Sequence, residues 1–188
     1  MDDRALEILR TFLGRRGLDT TTERVVTEDI ERVNLYTIGN VLVVFSQKDK
    51  GLMDRDIRNY VKFAADNSYT NGVIIVGLAR PSENVLKVIK SFAKERIQFF
   101  WSWHLQTDWT QHRYYVPHRI LKEEEKTALI NKYKLTNPNY QFPSIDSQDY
   151  PVKVIGAIPG DVVEVRRKSD VAGDSFYYRM CVEDINVV

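Results

Sequence analysis

The sequence is poor in the residues that build chemical sites by themselves. Among its 188 residues there is one cysteine, Cys181, and three histidines, His104, His112 and His118. A lone thiol closes no intrachain disulfide, and with so few partners a structural zinc site is nearly excluded, which points to an intracellular protein. Charge of one sign is lacking too. Lys and Arg number 27 against 26 Asp and Glu, a formal net charge of +1. That removes the basic excess expected of a chain that holds nucleic acid alone; where this one meets DNA, another component carries most of the charge. The longest apolar stretch, Val73 to Ala79 with Gly77 inside it, is far short of the roughly 20 residues of a membrane span. The opening Met1-Asp2-Asp3-Arg4 lacks the basic and apolar regions of a signal peptide, so neither membrane nor secretion is expected. The nine glycines form neither a Walker pattern nor Gly-x-Gly-x-x-Gly, and no phosphate loop or cofactor is called for.

What is present is an ordinary core-forming composition, 43% hydrophobic and 28% charged, enough for one domain or two small ones. From Asp2 to about Arg16, Leu6, Leu9 and Phe12/Leu13 recur at helical spacing, and Gly14 and Gly17 weaken and end that helix. Leu35 to Ile38 and Val41 to Phe45 read as strands joined by Gly39-Asn40, a pair that tolerates the positive φ of a two-residue hairpin turn. A helix follows over Gly51 to Asn67, then a buried strand at Val73 to Val76. Pro81 suits the first turn of another helix reaching about Glu95, and Ile97 to Trp101 reads as a strand. Alternation of this kind predicts a central sheet with helices packed on it, an α/β domain.

The character changes near Gln111/His112, where we place a domain boundary: 1–111 and 112–188. One more basic than acidic residue precedes Arg113 and the signs balance from Arg113 onward, so neither half is a basic domain. Glu123-Glu124-Glu125 ahead of Leu129, Ile130 and Tyr133, with lysines later, predicts a helix in the order its dipole favours. Three β-like runs are then expected, Val152 to Ile155, Val162 to Arg166 and Phe176 to Val182, punctuated by Pro159-Gly160-Asp161 and Ala172-Gly173-Asp174.

No catalytic constellation emerges. The histidines stand in no motif, and Cys181 within Tyr178-Arg179-Met180-Cys181-Val182 reads as a small buried hydrophobe. The best enzymatic candidate is a metal-dependent nuclease, with carboxylates and a lysine around magnesium at adjacent strand ends. The second hairpin strand does lead into Ser46-Gln47-Lys48-Asp49-Lys50, but it carries no carboxylate two residues before a lysine, and Asp49 and Lys50 read as a solvated loop. Aromatics gather at Phe99, Phe100, Trp101, Trp103, Trp109, Tyr114 and Tyr115. They could stack bases, yet they coincide with the last strand and the interdomain segment, which favours packing.

The second half resembles the assembly domain of the fifth subunit shared by the eukaryotic nuclear RNA polymerases, a domain that stands alone as the corresponding small subunit of the archaeal enzyme. The matching residues are Pro159-Gly160-Asp161-Val162-Val163, Arg167-Lys168-Ser169-Asp170-Val171-Ala172-Gly173 and Tyr178-Arg179. The spacings of His112 and His118, Glu124-Glu125 and Tyr133-Lys134-Leu135 agree as well. The first half is more weakly similar to the amino-terminal jaw of the eukaryotic subunit, through Val43 to Phe45, the helix from Gly51, Val73 to Val76 and Pro81-Ser82. Archaeal members lack that jaw. The resemblance therefore implies a eukaryotic subunit or that of a large DNA virus: a restriction-endonuclease-like α/β jaw without an active site, plus a small α+β assembly domain with a short mixed sheet.

Departures from the family pattern are local. A proline falls one place late in Tyr114-Tyr115-Val116-Pro117 and again in Asp149-Tyr150-Pro151, so both turns are expected to be rebuilt. Lys122 stands where the family has a capping Ser or Thr, Val171 replaces a Thr, and the region between Leu18 and the hairpin is short. A compact, divergent member fits a virus or a reduced genome.

The resemblance implies a non-catalytic polymerase subunit without small-molecule substrate or membrane, docking on the largest subunit and other core subunits and supporting downstream duplex DNA. Its compartment is the nucleus if cellular, and the host cytoplasm or the virion if viral. Two readings from other classes stand beside it, a free-standing nuclease and a free nucleic-acid-binding module. Partner-interface candidates are His118, Gly160, Arg166, Arg167, Gly173, Tyr178 and Arg179: guanidinium forks for carboxylates, and glycines at turns that a side chain would strain. The small sheet, with edges it cannot cover alone, implies burial on a partner. DNA-contact candidates are Arg80, Pro81 and Ser82, at a helix start whose free N–H groups attract phosphate.

Overall fold

The computed structural model describes residues 2–25, 27, 30, 32–48, 51–169 and 173–185. It is a mixed α/β chain in two compact units, Met1–Trp109 and Thr110–Val188.

The first unit is built on a five-stranded mixed sheet in the order β1-β2-β3-β4-β5, with β1 Thr22–Val25, β2 Val33–Ile38, β3 Val41–Ser46, β4 Val73–Gly77 and β5 Ile97–Trp101. β1, β2 and β3 pair antiparallel, while β3, β4 and β5 are parallel. The hairpin forms as expected: Ile38 pairs with Val41 across Gly39 at φ 55° and Asn40 at φ 61°, the two positive angles of a turn whose twist matches the strands. Parallel neighbours need crossovers, supplied by α2 Asp54–Asp66 and α3 Glu83–Ser91. These cover one face, where Ile57, Tyr60, Val85 and Ile89 pack with Val44, Ile75 and Phe99. Helix α1, Asp2–Arg15, buries Leu9, Phe12 and Leu13; Phe12 meets Phe100 at 6.3 Å between ring centroids, and the Arg16 guanidinium just beyond donates to Gln98 Oε1 at 2.8 Å.

Two points differ from the sequence reading. β1 carries no long apolar run and escaped notice; it exists because β2 offers it a register from Thr22↔Ile38 to Val25↔Leu35. Gly14 lies inside α1 and Gly17, at φ 78°, follows its end, as the sequence implies. Pro81 precedes the helix rather than opening it, because Ser82 takes the N-cap and accepts the Val85 N–H at 3.4 Å. Asp49 and Lys50 lie outside the described residues.

The second unit holds a four-stranded mixed sheet in the order β6-β8-β9-β7: β6 His118–Ile120, β7 Ser144–Asp146, β8 Val162–Ser169 and β9 Gly173–Val182. Only β7 and β9 are parallel. The helices are α4 Glu123–Tyr133, a single turn α5 Pro138–Gln141, and α6 Tyr150–Ile155. Val163, Val165, Ile145 and Cys181 pack with Val152 of α6 on one face, and Val162 and Met180 pack with Leu129 of α4 and Phe142 on the other.

The expected strand at Val152 to Ile155 is a helix. Pro151 fixes the φ of its first turn, Gly156 ends it in the left-handed region at φ 76°, and Val152, Lys153 and Val154 are buried in succession, which an alternating strand would not allow. A short β-branched run cannot by itself tell the two apart. The sheet positions go instead to β6 and β7, which sequence reading missed. Ala172 and Val171 lie outside the described residues.

Candidate functional site

Lys48 and Asp56, at the carboxyl end of β3 and the start of α2, are the groups nearest to a catalytic pair. They form an ion pair at 2.6 Å through Asp56 Oδ1, while Oδ2 accepts the Met53 N–H at 3.0 Å. Both carboxylate oxygens are thus committed to closing the helix start and neutralising the lysine. Burial, aided by the Asp56 charge, pushes the Tyr60 phenol up to about 12, so it stays protonated. Among the described residues no three His, Cys, Asp or Glu side chains gather as a metal site would require.

The three DNA-contact candidates stand together between β4 and α3. Ser82 spends its lone pair on the cap and keeps its hydroxyl proton, Pro81 contributes no N–H, and exposed Glu83 opposes an anion. The Arg80 guanidinium lies 4.8 Å from the Trp101 ring centre, a cation–π contact that holds it beside the helix start. Of the aromatic cluster, Phe99 and Phe100 are buried in the sheet, whereas Trp101, Trp103 and Trp109 follow one another at 6.2 and 6.4 Å in near-parallel planes. Trp103 is 57% exposed. Tyr114 and Tyr115 belong to the second unit.

The partner-interface candidates distribute along the β8–β9 hairpin. Gly160, at φ 101°, follows Pro159 in the turn that closes with Asp161 N–H on Ile158 O; Gly173, at φ 69°, opens β9 at the opposite end. Each needs a backbone that only glycine adopts freely, although a Cβ would touch nothing at either position. His118 pairs in register with Val165, and Val165 with Tyr177. Strand alternation places Arg167 and Arg179 on that face; burial, with a lesser contribution from these two charges, holds the His118 imidazole below its ordinary value against the opposing pull of Val116 O and Asp149. His118 Nδ1 meets Val116 O at 2.6 Å. Arg166 and Tyr178 lie on the other face: Arg166 pairs with Asp174, and Tyr178 stands opposite Glu164. Arg167 lies over the Tyr177 ring at 5.1 Å, and Arg179 donates to Ser144 O at 3.0 Å, tying β7 to β9.

Lys122 caps α4 without the usual hydroxyl. Its N–H is taken by Glu125 Oε2 at 2.9 Å, the reciprocal half of a capping box, and the same carboxylate binds Arg119, which also reaches Glu164 at 3.1 Å. Two groups escaped sequence reading. Lys153 is buried, and desolvation lowers it to about 8 even with Asp149 and Asp146 nearby; nothing in a lysine flanked by valines signalled burial. Phe176 and Tyr177 are each 49% exposed on β9, and three consecutive aromatics, Phe176-Tyr177-Tyr178, were the available sign that both faces of this strand carry apolar surface.

The class these observations define is a two-unit chain in which Lys48, Asp56, Glu125 and Arg119 are held in caps and ion pairs, no metal cluster gathers among the described residues, and one hairpin presents aromatic and cationic side chains. The model of the RNA polymerase Rpb5 C-terminal domain matches residues 107–181. The DNA-directed RNA polymerase subunit Rpo5 of Pyrococcus abyssi is 54% identical over 67 residues, 36% of this chain and 79% of that protein. Rpo5 of Methanosarcina mazei is 42% identical over 66 residues, 35% of this chain and 82% of that protein. The Dictyostelium discoideum subunit rpabc1 of DNA-directed RNA polymerases I, II and III is 28% identical over 128 residues, 67% of this chain and 64% of that protein. The chain belongs to the Rpb5/Rpo5 family of RNA polymerase subunits, structural parts of the enzyme complex that perform no catalysis themselves. Nothing in these relatives supports the nuclease reading.

Proposed function

We propose that this protein docks through its second unit, the assembly domain, on the largest subunit and neighbouring core subunits of a DNA-directed RNA polymerase. Its first unit then stands as a jaw beside downstream duplex DNA. The observation that carries the docking is that the Rpb5 C-terminal domain model matches residues 107–181, nearly all of them within this second compact unit. The boundary at 112 and the restriction-endonuclease-like character of the jaw belong to the same reading, supported by the parallel β3-β4-β5 core with helical crossovers. Arg80 and Ser82 serve as a phosphate rest that reads no bases: a held cation, a hydroxyl proton and the first N–H groups of α3, with Arg80 offsetting Glu83. The chain works wherever its polymerase does, in the nucleus of a cell or in the host cytoplasm or virion of a virus.

Cross-linking of the assembled enzyme tests the docking. Lysines 126, 132 and 134 are expected to couple to the largest subunit, and coupling confined to lysines of the first unit would contradict it. For DNA, replacing Arg80 and Ser82 with alanine in the assembled polymerase is expected to weaken retention modestly, more at low salt. Retention equal to the parent at low salt makes both ordinary surface residues.

A further inference from the structure

Strand β9 is covered along only part of its length. β7 meets it at Met180, Cys181 and Val182, so among the described residues no strand lies beside Asp174–Tyr178 on that side. The ladder shows which groups are left. Met180 N–H donates to Pro143 O toward β7, whereas Cys181 N–H donates to Asp161 O on the opposite side. The N–H and C=O of one residue point the same way and successive residues alternate, so Asp174, Phe176 and Tyr178 direct both groups toward the open side. Pairing with β8 runs unbroken from Val162↔Met180 to Ser169↔Gly173, so no bulge turns this edge away, and β9 contains no proline.

The two faces beside the edge differ. One carries Phe176 and Tyr178, with exposed Tyr133 of α4 near Tyr178. The other carries Tyr177, Arg167 and Arg179, and among the described residues neither arginine meets a carboxylate. An added strand would therefore find apolar surface on one side and, on the other, cations that meet no carboxylate among the described residues, a period of two that matches its own side-chain alternation.

We propose that the β9 edge from Asp174 to Tyr178 receives, by strand addition, an extended segment of another polymerase subunit in which apolar residues alternate with Asp or Glu. The apolar side chains lie against Phe176 and Tyr178, and the carboxylates meet Arg167 and Arg179. Main-chain hydrogen bonds supply affinity and the alternation supplies specificity. The source of the segment rests on the functional reading above; the edge and its chemistry rest on the ladder.

The test uses the full chain and a polymerase core lacking this subunit. Phe176→Pro removes an outward N–H and costs no bond to β8, while Phe176→Ala keeps that N–H and Arg167→Glu reverses one cation. Incorporation is expected to fall about tenfold or more for Phe176→Pro, and by smaller factors for the other two, with melting temperatures close to the parent's. Hydrogen exchange on the parent guards against a variant that fails to fold: the Phe176 and Tyr178 amides are expected to exchange fast in the isolated chain and slowly after assembly. Parent-like incorporation of Phe176→Pro, or unchanged exchange of those amides on assembly, overturns the proposal and leaves the subunit reading standing. Sedimentation showing a dimer that Phe176→Pro dissolves makes the occupant a second copy and also overturns it. A parent chain that does not join the core overturns the functional reading and this proposal together.

Discussion

Lys153 lies on α6 at 7% exposure, and burial lowers its pKa from 10.5 to about 8 against the opposing pull of Asp149 and Asp146. At about 1.4 kcal/mol per pKa unit, holding this ammonium inside the folded second unit costs about 3 kcal/mol relative to the unfolded chain. The folded pKa is below the unfolded one, so the cost is fully present below pH 8, where both states are protonated. Between about 8 and 10.5 the folded state has lost the proton and the unfolded state keeps it, so stability rises with pH, and above that window the cost is gone. Lys153→Met keeps the volume and removes the charge. It is expected to stabilise the protein by about 3 kcal/mol at pH 7 and by close to nothing at pH 10.5. Urea unfolding of parent and variant at pH 7, 8, 9 and 10.5 measures this, and taking the difference cancels every other titrating group, Cys181 included. A gap equal at pH 7 and 10.5, or a variant less stable at pH 7, refutes the reasoning.

Further outcomes follow from single groups. Cys181 is 1% exposed and burial pushes its thiol up to about 12, so a thiol reagent at pH 8 is expected to leave the folded chain unlabelled and to label it in denaturant; rapid native labelling contradicts its place in the sheet core. Gly160→Ala places a side chain at φ 101° and is expected to cost about 1–2 kcal/mol by thermal unfolding, although its Cβ meets no atom; a neutral result would mean the turn relaxes. Ser82→Ala removes the α3 cap and is expected to lower stability by about 1 kcal/mol, which unfolding of this single variant beside the parent reads directly.

Elements with strong local signals were legible in the amino-acid sequence. The Gly39-Asn40 turn, the β-branched run that became β4 and the stripes of α1, α2 and α3 each carry the period of the structure they form. Elements defined by their neighbours were not. β1, β6 and β7 are three or four residues long and exist because a longer strand offers them a register. Val152 to Ile155 has strand composition but helical boundaries, and Pro151 and Gly156 decided it. The partner-interface candidates came from matching family residues, and the pattern could not say that Arg166 is already paired with Asp174 while Arg167 and Arg179 meet no carboxylate among the described residues. The open β9 edge depends on where β7 stops, a long-range pairing that no local pattern records.

The most direct test of the central claim is reconstitution of the full chain with a polymerase core depleted of its Rpb5/Rpo5 subunit, read by gel filtration and subunit stoichiometry. One copy per core, with no magnesium-dependent DNA cleavage by the isolated chain, is the predicted result. A chain that stays free of the core, or that cuts DNA alone, would contradict the account.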